Sequence, residues 1–192
     1  MSELLDRARS WIEEVHPHPR HLTRTLEWAD TLKPDGVEAL RIAAVTHDSE
    51  RAFPDPQCPW DSANDFDDPG YLRYHQERCA RITGDWLRAQ GASVALTPQV
   101  TRLVAVHELG GWPEADLLQA ADSLSFLEVM VPLVERWVTS GRAPASRAVG
   151  KLQWMHDRIS PTLPRAQGFA RPLLSAGLVR LEAVRAGEAT GR

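Results

Sequence analysis

Residues 37–48 read Val37-Glu38-Ala39-Leu40-Arg41-Ile42-Ala43-Ala44-Val45-Thr46-His47-Asp48. Apolar residues recur there at three- and four-residue steps, and the strict alternation of a half-buried strand is missing. The stretch therefore reads as a helix, and one apolar enough to lie inside the molecule. It closes on an imidazole beside a carboxylate. Such a pair at the end of a buried helix can bind a hard or borderline metal ion.

The same periodicity extends in both directions. Upstream, Glu3 to Val15 places Leu4, Leu5, Ala8, Trp11, Ile12 and Val15 on one face. His16-Pro17-His18-Pro19 breaks that segment, because each proline disfavours helix in the residue before it. A second segment spans Arg20 to Leu32, and Lys33-Pro34-Asp35-Gly36 forms the turn before the third. Downstream, the spacing predicts helices over 70–90, over 97 to about 109, from Pro113 to about Thr139, over 145–159 and over 164–184. Thr97-Pro98 supplies an N-cap and a first-turn proline. Ser49 to Pro69, rich in proline and aspartate, reads as a long surface loop over a site. The expected fold is all-α: one compact helical domain over 1–188 with about seven to eight helices, frayed from Ala186, and a disordered tail over 189–192.

Composition narrows the function. The chain has 192 residues, 43% hydrophobic and 25% charged, which suits a globular domain with a full core. Its formal charge of −4 argues against nucleic acid as a partner. Cys58 and Cys79 are too few for a disulfide framework. No apolar run is long enough to cross a bilayer, and residues 1–6 lack a signal-peptide pattern, so no membrane partner and a cytoplasmic location are expected.

Helical facing then gathers the chemistry. His21 shares a stripe with Thr25, Trp28 and Leu32, and His47 with Val37, Leu40 and Ala44. His75 aligns with Leu72, Cys79, Ile82 and Trp86. His107 aligns with Val100, Leu103 and Val104, and Asp122 with Leu118, Ser125 and Val129. Five segments each aim one imidazole or carboxylate inward, and Asp48 adds a sixth group. Burying a polar group without a partner costs roughly 2–7 kcal/mol, and an unpaired carboxylate more. Against a stability of about 5–15 kcal/mol, six such groups need a shared partner. A metal centre is one, since cations neutralise carboxylates and replace lost hydration.

These residues, in this order, resemble the HD superfamily of metal-dependent phosphohydrolases. His21-Leu22-Thr23-Arg24-Thr25 with Ala29 is similar to the family's opening element, Ala43-Ala44-Val45-Thr46-His47-Asp48 to the approach to its central pair, and Ala120-Ala121-Asp122-Ser123-Leu124 to its closing element. The resemblance runs from about Arg20 to Glu128. His75 and His107 resemble the extra ligands of the dinuclear subgroup. Where family members often carry glycine after the central pair, this chain has Ser49-Glu50-Arg51. The resemblance implies one or two divalent ions, iron or manganese before cobalt, nickel, zinc or magnesium. One ion would take His21, His47, Asp48 and Asp122, and the other Asp48, His75 and His107, with Asp48 bridging. The implied activity is hydrolysis of a nucleotide or another small phosphate ester by a metal-bound hydroxide. The alternative within the superfamily is a mixed-valent diiron oxygenase acting on a small polyol or phosphonate.

Around that set, Asp48, Arg24, Arg51, Glu50 and Glu108 are the candidate catalytic residues. Arg24 and Arg51 are placed to reach a substrate phosphate; the alternatives are a salt bridge orienting the ligands for Arg24 and a solvated loop charge for Arg51. Glu50 and Glu108 are candidates for a general base or for partners of a ligating histidine, or else surface charges. Lys151 is a weaker candidate for a phosphate contact. His16 and His18 read as solvated turn residues bordering the site, and His156-Asp157 as a surface or packing pair.

Overall fold

The helix Pro113–Val129 organises the molecule, a computed structural model that describes residues 2–190, without the side chains of 187–190. Its residues Leu117 to Leu127 are buried on every side, so other helices surround it. In chain order the described residues form nine α-helices and no strand: α1 (Glu3–Val15), α2 (Pro19–Leu32), α3 (Glu38–Thr46), α4 (Pro69–Ala89), α5 (Leu96–Val104), α6 (Pro113–Val129), α7 (Val131–Thr139), α8 (Ala145–Asp157) and α9 (Pro164–Thr190). A 3-10 helix, Ser49–Ala52, follows the turn after α3. The fold is all-helical, as the periodicity implied.

Local chemistry sets the ends. The Ser2 hydroxyl accepts from the Leu5 amide at 3.2 Å and starts α1. Pro19 opens α2 in the first turn, where a missing N–H costs nothing. The Asp68 carboxylate accepts from the Gly70 and Tyr71 amides at 2.8 and 3.0 Å and caps α4. Gly110 and Gly111 take φ of +70° and +122° before α6. A side chain at Gly110 would also meet the Asp116 carboxylate at 2.4 Å, so the turn requires glycine there.

α6 packs against α2, α3, α8 and α9, and α3 against α1, α2 and α5. Several bounds differ from the sequence expectation. The long segment after Pro113 is two helices, bent by 58° at Met130. Pro132 cannot donate a backbone hydrogen bond, and its ring blocks the preceding turn, so α7 starts anew. α5 stops at Val104, and tighter bonds from Val106 N to Leu103 O and from His107 N to Val104 O carry His107 inward. α5 also begins at Leu96, capped by Ala95, so Thr97 is inside the helix. At the far end, α9 continues past Ala186 to Thr190, and residues 191 and 192 of the expected tail lie outside the described residues.

The loop expected over 49–69 is more ordered than its composition suggested. It starts with the 3-10 helix, whose Ser49 and Glu50 are buried. Its aspartates are paired: Asp61 with Arg142 at 2.7 Å, Asp67 with Arg147 at 2.7 Å, and Asp65 with the Asp61 amide at 2.7 Å. No single helix among the described residues is long and apolar enough to cross a membrane.

Candidate metal centre

Four imidazoles meet beneath α6. His21 comes from α2, His47 from the end of α3, His75 from α4 and His107 from the turn after α5. Their rings run in sequence: His21 to His47 at 5.4 Å, His47 to His107 at 5.1 Å, and His107 to His75 at 5.1 Å between centroids. All four are buried.

The tautomer of each ring follows from its Nδ1 partner. His47 Nδ1 lies 3.0 Å from the Ala44 carbonyl and His107 Nδ1 2.8 Å from the Val104 carbonyl. His75 Nδ1 lies 2.9 Å from Glu50 Oε1. His21 Nδ1 lies 2.9 Å from Ser125 Oγ, whose own proton goes to the His21 carbonyl at 2.7 Å. Every partner is an acceptor, so every Nδ1 carries the hydrogen and donates it. Each Nε2 lone pair is left for the interior.

Carboxylates face those lone pairs. Asp122 Oδ1 is 3.1 Å from His21 Nε2 and 3.3 Å from His47 Nε2. Asp48 Oδ1 is 3.2 Å from His75 Nε2. Glu108 Oε1 is 3.6 Å from His75 Nε2 and 3.7 Å from His107 Nε2. Three sets of donor atoms are tight enough for one ion each: His21, His47 and Asp122; Asp48, His75 and Cys79; His75, His107 and Glu108. All six residues singled out as ligands thus fall in one cluster. The grouping differs from the implied one in that Asp48 stands with His75 alone among the histidines and does not bridge to the His21–His47–Asp122 set, and Cys79 and Glu108 enter as further donors.

Electrostatics keep the carboxylates ionised. Burial opposes the charge on Asp48, but Arg51, His75 and His16 outweigh it and hold the carboxyl well below its usual range. Burial likewise opposes Asp122, and Arg158 and His47 overcome it. Burial would lift Glu108, yet Arg158, His107 and Lys151 bring it down to about 2. Among the imidazoles, burial is the main influence that drives His107 down to about 4. Burial also works against a charged His47, but Asp122 and Asp48 raise it above its ordinary value.

A cavity of ≈ 50 Å³ lies within the cluster, bounded by His21, His47, Asp48, His107, Glu108 and Asp122. One water needs about 10–15 Å³, so cations with a few waters fit. Neutral nitrogens and hard oxygens around a small polar space suit divalent first-row ions. A second cavity of ≈ 210 Å³ shares His21, Asp48, Arg51, Glu108, Phe126 and Lys151 with the first and reaches the wall of α7.

The other candidates divide. Glu50 is buried, tied to His75 Nδ1 and to Arg78 at 2.8 Å, which makes it an orienting partner of a ligand. Arg51 lines both cavities, with Asp48 at 3.3 Å, Glu50 at 3.1 Å and the Tyr71 hydroxyl as partners. Arg24 points elsewhere: Glu128 at 2.6 Å and Glu27 at 2.6 Å hold it over the Trp28 ring, and it lines neither cavity. His16 is not a solvated turn residue. It is buried as the C-cap of α1, with Nε2 3.2 Å from the Asp48 carbonyl, because the turn at Pro17 folds it beneath the His47-Asp48 corner. His18 lines the larger cavity. His156 and Asp157 pair with each other at 2.7 Å away from the cluster.

Arg158 escaped the sequence reading. Its guanidinium bridges Glu108 and Asp122, with Nε 2.9 Å from Ser123 Oγ. Its partners lie 36 and 50 residues away in sequence, and no motif announces it. Comparison with protein-family models, curated proteins and solved structures returns no match for the chain.

Proposed function

We propose that the protein is a metal-dependent hydrolase of small phosphate esters, the activity implied by its resemblance to the HD superfamily. One observation carries this reading: four Nδ1–H tautomers are locked by acceptors and turn their Nε2 atoms toward three carboxylates, and His21, His47 and His107 line one small cavity with all three of those carboxylates. Without a metal ion, an Nε2 this close to a carboxylate has to carry a proton; a divalent cation would take that place. His21, His47 and Asp122 would hold one ion, and His75 would hold a second either with His107 and Glu108 or with Asp48 and Cys79. A bound divalent ion supplies Lewis acidity toward a phosphoryl oxygen and toward water at neutral pH.

The chain supplies the rest. Arg51 and Lys151 place positive charge where the two cavities join, suited to the equatorial oxygens of a phosphoryl group. Arg158 holds the outer oxygens of Asp122 and Glu108 and so fixes their inner ones toward the cluster. Phe126 and Met155 close the inner cavity with apolar surface and limit water there.

The test is metal analysis of freshly purified protein together with phosphate release from a panel of nucleotides and phosphomonoesters, with manganese or iron supplied. The expected result is bound metal and phosphate release that a chelator stops. The presence of His75 and His107 in the cluster also supports the diiron oxygenase reading. Oxygen uptake without phosphate release would favour that activity instead.

A further inference from the structure

Lys151 is the odd cation of this site. It is one of two lysines in the chain, the other being Lys33. Its residue is 8% exposed. The Nζ lies over three rings, Trp154 at 4.4 Å, Phe126 at 5.0 Å and Phe66 at 5.2 Å. Among the described residues it has neither a hydrogen bond nor an ion pair. Glu108 and Asp122 act on it only from beyond contact distance, and Arg158 already holds both. By contrast Arg51 and Arg142, the other strong cations on the larger cavity, are paired with Asp48 and Asp61. A buried ammonium without an anion is costly, and ring faces return only part of its hydration.

The wall beside it is of another kind. Met130, Leu133 and Trp137 project from the start and body of α7 onto the larger cavity. Trp137 Nε1 is buried and has no acceptor among the described residues. One cavity thus joins an unanswered ammonium, next to the candidate metal centre, to an apolar wall. Its ≈ 210 Å³ falls below the roughly 300–1,000 Å³ of pockets for drug-sized ligands.

We propose that this cavity seats a compact phosphomonoester of an apolar or aromatic alcohol, with Lys151 pairing the phosphate and the Met130–Leu133–Trp137 wall covering the alcohol. The assignment rests on the phosphohydrolase reading and narrows its substrate class away from nucleoside polyphosphates. Burial drives the Lys151 ammonium down to about 8, which agrees with a cation awaiting its anion.

The presence of only two lysines gives a direct test. The manganese-loaded full chain is treated with acetic anhydride with and without inorganic phosphate, and acetylation of Lys151 is read against Lys33 by mass spectrometry. Phosphate is expected to slow Lys151 about tenfold, the effect of one charge-assisted contact, and to leave Lys33 unchanged. An unchanged ratio in a protein that binds phosphate overturns the Lys151 assignment alone. Manganese-loaded protein that neither binds phosphate nor hydrolyses any phosphomonoester overturns the phosphohydrolase reading as well. By titration calorimetry, Lys151→Met should weaken phosphate roughly tenfold to a hundredfold with metal content intact, and Lys151→Arg should keep most of the affinity. Phenyl phosphate should bind about tenfold tighter than glycerol phosphate. Equal or tighter binding of glycerol phosphate overturns the apolar wall's role.

Discussion

The two halves of the imidazole cluster are built differently. On one side, a single oxygen of Asp122 faces His21 and His47, and all but His47 sit within helices α2 and α6. On the other, Asp48, Glu50 and Glu108 crowd His75, and every one of these carboxylates stands on a turn or a 3-10 helix. Cys79 and Tyr71 lie against the same ring. The helical half offers one fixed set of donors. The crowded half offers more donors than one ion would need, so under the proposed function the choice of metal and its exchange would belong there.

The His47-Asp48 corner joins the halves, and breaking it should have the largest effect. His47→Ala and Asp48→Ala are each expected to cut phosphate release by more than about a hundredfold and to lower metal content. Full activity in a metal-free Asp48→Ala protein would refute the assignment. Arg158→Met comes next. It leaves two buried carboxylates without their partner and should cost about 3–5 kcal/mol in the metal-free protein. Cations can take over that neutralisation, so urea unfolding should show a smaller loss with manganese present. An equal loss in both states would separate Arg158 from the metal centre.

Smaller changes test the asymmetry itself. Glu50→Gln keeps an acceptor for His75 but removes a charge, and should weaken one ion of two by about tenfold. Elemental titration would then show one tight and one weakened site; equal weakening of both would erase the distinction between halves. Acidity should act in the same direction. In the metal-free chain, Asp122 and Asp48 raise His47, and Cys79, Tyr71 and Asp48 raise His75, above the ordinary imidazole value of 6.5 despite their burial. Protons therefore compete with metal at these nitrogens, and loading should fall as pH drops through that range and recover as it rises. Metal retained after dialysis at successive pH values measures this, and a flat profile would contradict the Nε2 assignment.

Helix order and facing were legible in the sequence because burial imposes a 3.6-residue period. α1 has the bounds its stripe implied, and His21, His47, His75, His107 and Asp122 lie together as their inward stripes implied, with Asp48 beside them at the end of α3. What escaped was long-range or counter-periodic. Arg158 pairs across the fold, and charge on a late helix looks the same in sequence whether it is solvated or buried. Glu50 sits in a segment whose prolines and aspartates read as surface, although the 3-10 turn buries it. Arg24 shares a helix with His21 but answers to Glu128, one hundred and four residues on. Pro132 was a visible signal for the break between α6 and α7, outweighed by the apolar run around it.

The locked rings carry a consequence for handling the protein. Their orientations are set by backbone carbonyls, a serine and a glutamate, none of which departs with an ion. Stripping and refilling should then resemble emptying and reloading a rigid socket, quick, reversible and without passage through an unfolded chain.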